Sequence, residues 1–153
     1  MPVASNASVL LITNDFGPRA GGIETFILGL LERMPKGSCL VYTSSQEGSE
    51  DFDQRWRRDF GVEVIRDRAR VLLPTPRTAR DVKKILKHRE ITHIWYGAAA
   101  PLGLLNPTLK RYAGKKLKRS SSMRTIALTH GHEVWWAKIP PFSIVFRVIA
   151  RSL

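Results

Sequence analysis

Two histidines and a glutamate lie close together in His130-Gly131-His132-Glu133, which directly follows the apolar run at residues 125–129. An imidazole at the end of a buried strand can hydrogen-bond a polar substrate or transfer a proton near neutral pH. The group could also bind a metal, but it lacks the i, i+4 helical spacing of zinc proteases and needs a distant third ligand. A third interpretation is a polar cluster that caps the next turn. We expect a substrate-binding histidine and no metal site.

A glycine-rich loop at residues 14–22 joins the apolar run 9–13 to a segment with helical periodicity. Its Gly21-Gly22 pair lets an anion approach the backbone, and the free N–H groups and dipole of the following helix favour a phosphate. Arg19 is a candidate for an additional contact. The loop contains neither the Walker pattern nor the dinucleotide-binding G-x-G-x-x-G pattern. A simple tight turn is the alternative interpretation.

Basic residues dominate the charge of this chain. Lysine and arginine total 25 against 13 acidic residues, which gives a formal net charge of +12. The stretch from Gly97 to His132 contains no acidic residue. Its seven basic residues are Lys110, Arg111, Lys115, Lys116, Lys118, Arg119 and Arg124. Such a patch suits anionic lipid or nucleic acid, but Tyr112 is its only aromatic residue, which argues against binding of single-stranded nucleic acid.

Length and composition indicate one folded domain. The 153 residues are 43% hydrophobic and 25% charged, as in ordinary globular proteins. Cys39 is the single cysteine, so no internal disulfide can form and a reducing compartment is expected. Neither a signal peptide nor a membrane-spanning apolar stretch is recognisable. We therefore expect a cytoplasmic protein whose contact with a membrane is peripheral.

Hydrophobic periodicity predicts alternating strands and helices. Strands are expected at residues 9–13, 39–43, 62–65, 91–96 and 125–129, helices at 23–34, 78–87, 102–112 and 142–153, and a surface loop at 44–53. This order predicts an α/β fold, a Rossmann-like and mostly parallel sheet with helices on both faces. Ligands bind such sheets beyond the carboxyl ends of the strands. That rule selects residues 14–22, 97–101 and 130–133 as the candidate site.

Four motifs in order carry a resemblance to a known family. They read TNDFGPRAGGIE at residues 13–24, LLPTPR at 72–77, WYGAAAPL at 95–102 and THGHEV at 129–134. Together they resemble the N-terminal domain of actinobacterial GDP-mannose-dependent phosphatidylinositol mannosyltransferases. These enzymes belong to retaining glycosyltransferase family four and have the two-domain GT-B fold. The resemblance spans essentially the whole chain.

The resemblance implies transfer of mannose, with retention, from GDP-mannose to a phosphatidylinositol glycolipid that already carries mannose, without a metal or other cofactor. It places Gly21 and Gly22 at the donor diphosphate and His130 against the transferred sugar. His132 and Glu133 would line the same cleft. Arg19 and the basic helical region would suit the acceptor phosphate and the inner face of the cell membrane.

The same resemblance implies that part of the enzyme is missing. Residues 1–153 correspond to the acceptor-side domain, whereas a C-terminal donor domain supplies most nucleotide contacts in such enzymes. We therefore expect either a fragment of a transferase or a chain that needs a separate donor-domain chain, and no turnover by this chain alone. The alternative is a non-catalytic basic module that binds anionic lipid or nucleic acid.

Overall fold

A computed structural model describes residues 7–118, 123–131 and 138–153. Strands and helices alternate along the chain. Their bounds are β1 Val9–Thr13, α1 Gly22–Leu31, β2 Cys39–Thr43, α2 Ser49–Phe60, β3 Glu63–Arg66, α3 Pro76–His88, β4 His93–Tyr96, a 3-10 turn Leu102–Leu105, α4 Asn106–Leu117, β5 Arg124–Ala127 and α5 Phe142–Ser152.

All strand pairs in the sheet are parallel, and the strand order is β3-β2-β1-β4-β5. Strand β1 is central, with Leu10 opposite Leu40 of β2 and Ile94 of β4. The chain builds outward from β1 through β2 and β3, then returns to the other side of β1 for β4 and β5. The predicted Rossmann-like α/β fold is therefore confirmed, and β1 and β4 flank its topological switch point.

Side chains that alternate along the strands build a separate core on each face of the sheet. Leu10 and Ile12 face one core with the buried residues of α3 and α4, whereas Leu11 faces the other with α1 and α2. Helices therefore cover both faces, as predicted. Every helix in the described part of the chain falls short of the length and apolar character that a bilayer crossing requires.

The surface loop predicted at residues 44–53 is wrong in its second half, because α2 begins at Ser49. Acidic and polar residues dominate the start of α2 and conceal its apolar stripe. Phe52 and Trp56 are four residues apart, and both are buried against Phe16 in edge-to-face ring contacts. Spacing at i and i+4 places side chains on one helical face, so two aromatic residues suffice to anchor this helix.

In the first and last helices, α1 and α5, only part of the predicted apolar stripe is buried. In α1, Phe26 is 51% exposed although it fits the predicted apolar stripe, while Glu24 is buried. In α5, Ile149 is the buried member of the predicted stripe, and it packs closely against Gly103. The buried amide of Asn106 holds the end of α5 by donating to the Ser152 carbonyl at 2.6 Å.

Arg66, the last residue of β3, connects two loops and helix α2 at the carboxyl edge of the sheet. Its guanidinium donates to the carbonyls of Gly17 at 2.6 Å and Ser44 at 3.0 Å. The same group makes a bidentate ion pair with Asp53 of α2, both bonds at 2.8 Å. The Arg66 side chain is only 12% exposed, so its partners replace most of its hydration. The loops after β1 and β2 therefore have a fixed position relative to α2.

We expect Arg66→Gln to lower the free energy of unfolding by roughly 2–4 kcal/mol, because it leaves a half-buried carboxylate and two carbonyls without their donor. Chemical denaturation measures this change. Arg58→Gln is the matched control, since Arg58 pairs with Asp59 in an exposed ion pair. Equal midpoints for the wild type and both variants would show that the Arg66 network does not hold the loops.

Candidate functional site

The ends of β1, β4 and β5 meet at one edge of the sheet, as the parallel topology requires. His130 Nε2 lies 2.7 Å from the Gly97 carbonyl oxygen. A Cβ on Gly97 would come within 2.5 Å of Thr13 Oγ1 and 2.9 Å of Ile27 Cδ1, so the residue after β4 packs directly against β1 and α1. The structure thus brings His130 and the 97–101 segment together beside the end of β1.

His130 is half-buried and has a defined orientation. A carbonyl oxygen only accepts hydrogen bonds, so the contact with Gly97 requires the proton on Nε2. The imidazole also meets the ring of Phe26 edge-to-face, with ring centroids 6.3 Å apart. The Gly97 carbonyl and the Phe26 ring are thus among the groups that orient this side chain at the strand ends.

Gly21 and Gly22 differ in what surrounds them. Gly21 is the N-cap residue of α1, and its carbonyl accepts from the backbone N–H of Thr25 at 2.9 Å and from Thr25 Oγ1 at 2.8 Å. A Cβ on Gly21 would overlap with the Oε2 atom of Glu24. A Cβ on Gly22 would meet nothing within 4 Å. Gly21 therefore makes room for a side chain of this protein, whereas the space beside Gly22 is open.

Glu24 is the residue that the sequence reasoning missed. Its side chain is 7% exposed and pairs with Arg19, whose Nε and Nη2 atoms donate to Oε1 at 3.2 and 3.0 Å. Glu24 is three residues after the N-cap, where a glutamate commonly folds back over the helix start. This spacing from the N-cap is the sequence feature from which the position of Glu24 could have been predicted. Arg19 is 65% exposed on its side chain but carries a carboxylate partner, so it does not offer an uncompensated charge.

An open groove of about 910 Å³ lies beside Arg19. Its walls come from Pro18, Arg19, Ser45, Gln46, Glu47 and Arg70, in the loops that follow β1, β2 and β3. Gln46 joins two of these loops, because its amide nitrogen donates to the Phe16 carbonyl at 3.1 Å and its oxygen accepts from the Arg19 N–H at 3.2 Å. The lining is polar and of mixed charge, because Arg19 already pairs with Glu24 and the other lining arginine, Arg70, is accompanied by Glu47.

The loop after β3 is held from both sides. Asn14 accepts from the Leu72 N–H at 2.6 Å and donates to the Leu72 carbonyl at 3.1 Å. Asp67 accepts two hydrogen bonds from Arg77, at 2.8 and 3.0 Å, and a further one from Tyr42. Burial raises the pKa of Asp67, but the hydrogen bonds from Arg77, Tyr42 and Ala69 outweigh it and hold that pKa below its usual value. Asp67 is thus a structural carboxylate.

The remaining predicted site residues, His132 and Glu133, lie outside the described residues. Within the described ranges, no group of three or more His, Cys, Asp and Glu side chains is placed to hold a metal ion. Burial raises the pKa of the Cys39 thiol to about 12, so this cysteine remains protonated at neutral pH and is a core residue rather than a nucleophile.

The relatives that comparison with known proteins finds are mannosyltransferases of the kind that the four motifs resemble. The chain is 38% identical over 145 residues to the GDP-mannose-dependent alpha-(1-6)-phosphatidylinositol monomannoside mannosyltransferase of Mycolicibacterium smegmatis. The aligned residues cover 94% of this chain and 36% of the relative. It is 37% identical over 138 residues to the monoacylated alpha-(1-6)-phosphatidylinositol monomannoside mannosyltransferase of Corynebacterium glutamicum, over 90% of this chain and 34% of the relative. The Mycobacterium tuberculosis enzyme is 35% identical over 92% of this chain and 35% of its own length.

The chain is homologous to these mannosyltransferases. The mannosyltransferase homologue spans about a third of the length of the curated relatives it matches. No family model matches it. The aligned length includes His130, the glycine pair and Arg19, since it covers at least nine-tenths of the chain.

We expect Gly21→Ala to destabilise this mannosyltransferase homologue by about 1–3 kcal/mol, because the added methyl group displaces the Glu24 carboxylate and breaks its pair with Arg19. Gly21 has an extended backbone, which alanine also adopts. Thermal unfolding measures the effect. Gly22→Ala is the matched control and should be neutral or slightly stabilising, since its Cβ points into open space.

A second substitution identifies the cause. Glu24→Ala in the Gly21→Ala background should recover part of the lost stability, because the overlapping carboxylate is then absent. A Gly21→Ala variant as stable as the Gly22→Ala variant would contradict the close packing of Gly21 and Glu24.

Proposed function

We propose that this chain is the acceptor-side domain of a GDP-mannose-dependent mannosyltransferase that transfers mannose, with retention, to a phosphatidylinositol mannoside. The observation that carries the proposal is homology over at least 90% of the chain to enzymes named for this reaction. The structure supports it in that the three predicted loop segments follow strands at one edge of the sheet, two of them in direct contact. The donor is GDP-mannose, and no metal or other cofactor takes part.

Each site residue has a proposed role. His130 hydrogen-bonds the transferred sugar, and its contact with Gly97 supports this role because it fixes the imidazole orientation. Gly22 gives the donor diphosphate access to the start of α1, where unpaired N–H groups and the helix dipole favour an anion. Arg19 offsets the negative charge of Glu24 close to that position. From the family resemblance we propose that His132 and Glu133 also contact the ligand.

Turnover requires polypeptide beyond these residues. The relatives are about three times as long as the chain, and within the described residues the candidate site offers His130 and one helix start for a nucleotide sugar. We propose that a donor domain, as a continuation of this polypeptide or as a separate chain, supplies the remaining nucleotide contacts. Residues 1–153 then form the N-terminal, acceptor-side domain of the two-domain enzyme.

A basic surface on α3 and α4 supports peripheral binding to the inner face of the cell membrane. The two helices pack on the same face of the sheet, where Lys83 Nζ lies 5.6 Å from the centre of the Tyr112 ring. Basic members of this α3–α4 surface are Arg80, Lys83, Lys84, Lys87, Lys110, Arg111, Lys115 and Lys116. Among them, Lys84 alone takes part in an ion pair within the described residues. Anionic headgroups attract such a surface.

The proposed activity is testable in a chimera in which this chain replaces the matching third of the M. smegmatis relative. We expect transfer of mannose from GDP-mannose to phosphatidylinositol monomannoside, measured as labelled product. His130→Ala should reduce turnover roughly 100-fold, because the sugar loses a positioned hydrogen-bonding partner. His88→Ala is the control, since His88 is exposed at the end of α3. A folded chimera without transfer, or equal turnover in both variants, would contradict the proposal.

Membrane binding is measured by sedimentation of the chain with vesicles of phosphatidylcholine alone or mixed with phosphatidylinositol. We expect binding only to the mixed vesicles. Changing Arg111, Lys115 and Lys116 to alanine should weaken it roughly 100-fold at low salt. The matched control changes Arg55, Arg57 and Arg58 of α2, which lies on the opposite face of the sheet. Equal losses would disprove a specific surface, and tighter binding to duplex DNA than to vesicles would favour the nucleic-acid alternative.

A further inference from the structure

Phe26 is an exposed aromatic residue at the edge of the candidate site. It lies in α1, four residues after Gly22, and 51% of its surface is exposed. Its neighbour Ile27 is fully buried and directs α1 toward the end of β4, as the close approach of Ile27 to Gly97 shows. The exposed part of this ring offers apolar surface at the strand ends that a ligand can bury.

The surroundings of Phe26 are polar. Its ring contacts the imidazole of His130 edge-to-face, and His130 in turn donates to the Gly97 carbonyl. An aromatic face beside a fixed hydrogen-bonding side chain suits a ligand with an apolar face and a polar rim. A pyranose ring has this character, because the C–H groups on one side form an apolar patch while the hydroxyl groups surround it.

We propose that Phe26 is a sugar-binding residue, whose exposed ring stacks on the C–H face of a mannose unit while His130 hydrogen-bonds a hydroxyl group of the same unit. The choice of mannose rests on the proposed function. The stacking itself rests on the position of Phe26 beside His130. Because the aromatic face carries partial negative charge and sugar C–H groups carry partial positive charge, the contact has an electrostatic part as well as burial.

The test is NMR titration of the intact 153-residue chain with methyl α-mannoside. We expect the Phe26 and His130 signals to shift together on addition of the sugar. Phe26→Ala should weaken binding roughly 3- to 10-fold, whereas Phe26→Tyr and Phe26→Trp should retain it because they keep an aromatic face. Leu30→Ala is the matched control, since Leu30 is 36% exposed one turn further along α1.

Phe26→Leu separates a sugar platform from a packing role. Leucine preserves apolar contact with His130 but removes the ring face, so it should weaken sugar binding as alanine does. Wild-type binding by Phe26→Leu would overturn the proposal. So would the absence of any sugar-induced shift up to the solubility limit of the sugar, or equal losses in Phe26→Ala and Leu30→Ala.

The outcomes are distinguishable from those of the transfer assay. Phe26-dependent binding of methyl α-mannoside together with an inactive chimera would keep the sugar site and reject the transferase function. An active chimera whose isolated domain binds the sugar equally well with and without Phe26 would keep the function and reject the stacking.

Discussion

Strand β1 pairs in parallel with β2 on one side and with β4 on the other, and the position of the candidate site follows from this double pairing. Connections that leave β1 and β2 cross the face covered by α1 and α2, whereas those that leave β3 and β4 cross the opposite face. The loops after β1 and β4 therefore leave in opposite directions at the sheet edge, which is where ligands bind folds of this type. Gly97, His130 and the start of α1 lie at this edge.

Three acidic residues form ion pairs that tie loops and helices together inside the fold. Glu24, Asp53 and Asp67 pair with Arg19, Arg66 and Arg77 at the carboxyl edge of the sheet, where the pairs hold loops in place. Partly buried pairs of this kind need both partners, since either charge alone would be costly. The α3–α4 surface has few such partners. Helices α3 and α4 contain a single acidic residue, Asp81, so this surface carries an excess of positive charge.

Sequence periodicity predicted the central strands well because β1 and β2 are nearly continuous apolar runs, and every residue of β2 is buried. The same method missed the start of α2, whose two buried aromatic side chains stand among acidic and polar residues. It also grouped Phe26 with the core of α1, because the helical period identifies a face but not how far the sheet extends beneath it. Glu24 was overlooked for a related reason, since a buried carboxylate has no apolar signature and depends on a partner, Arg19, in the preceding loop.

The two glycines at the start of α1 illustrate why a motif does not define a single role. Both fit a phosphate-binding loop in sequence, yet the space beside Gly21 is filled by the chain's own carboxylate. An anion at this helix start must therefore approach over Gly22, on the side away from Glu24, and Arg19 must stay close enough to offset the carboxylate charge. If an anion binds at this helix start, the side chain of Glu24 therefore leaves it one direction of approach. That direction starts one helical turn before Phe26, so a phosphate and a sugar of one ligand could occupy adjoining positions along α1.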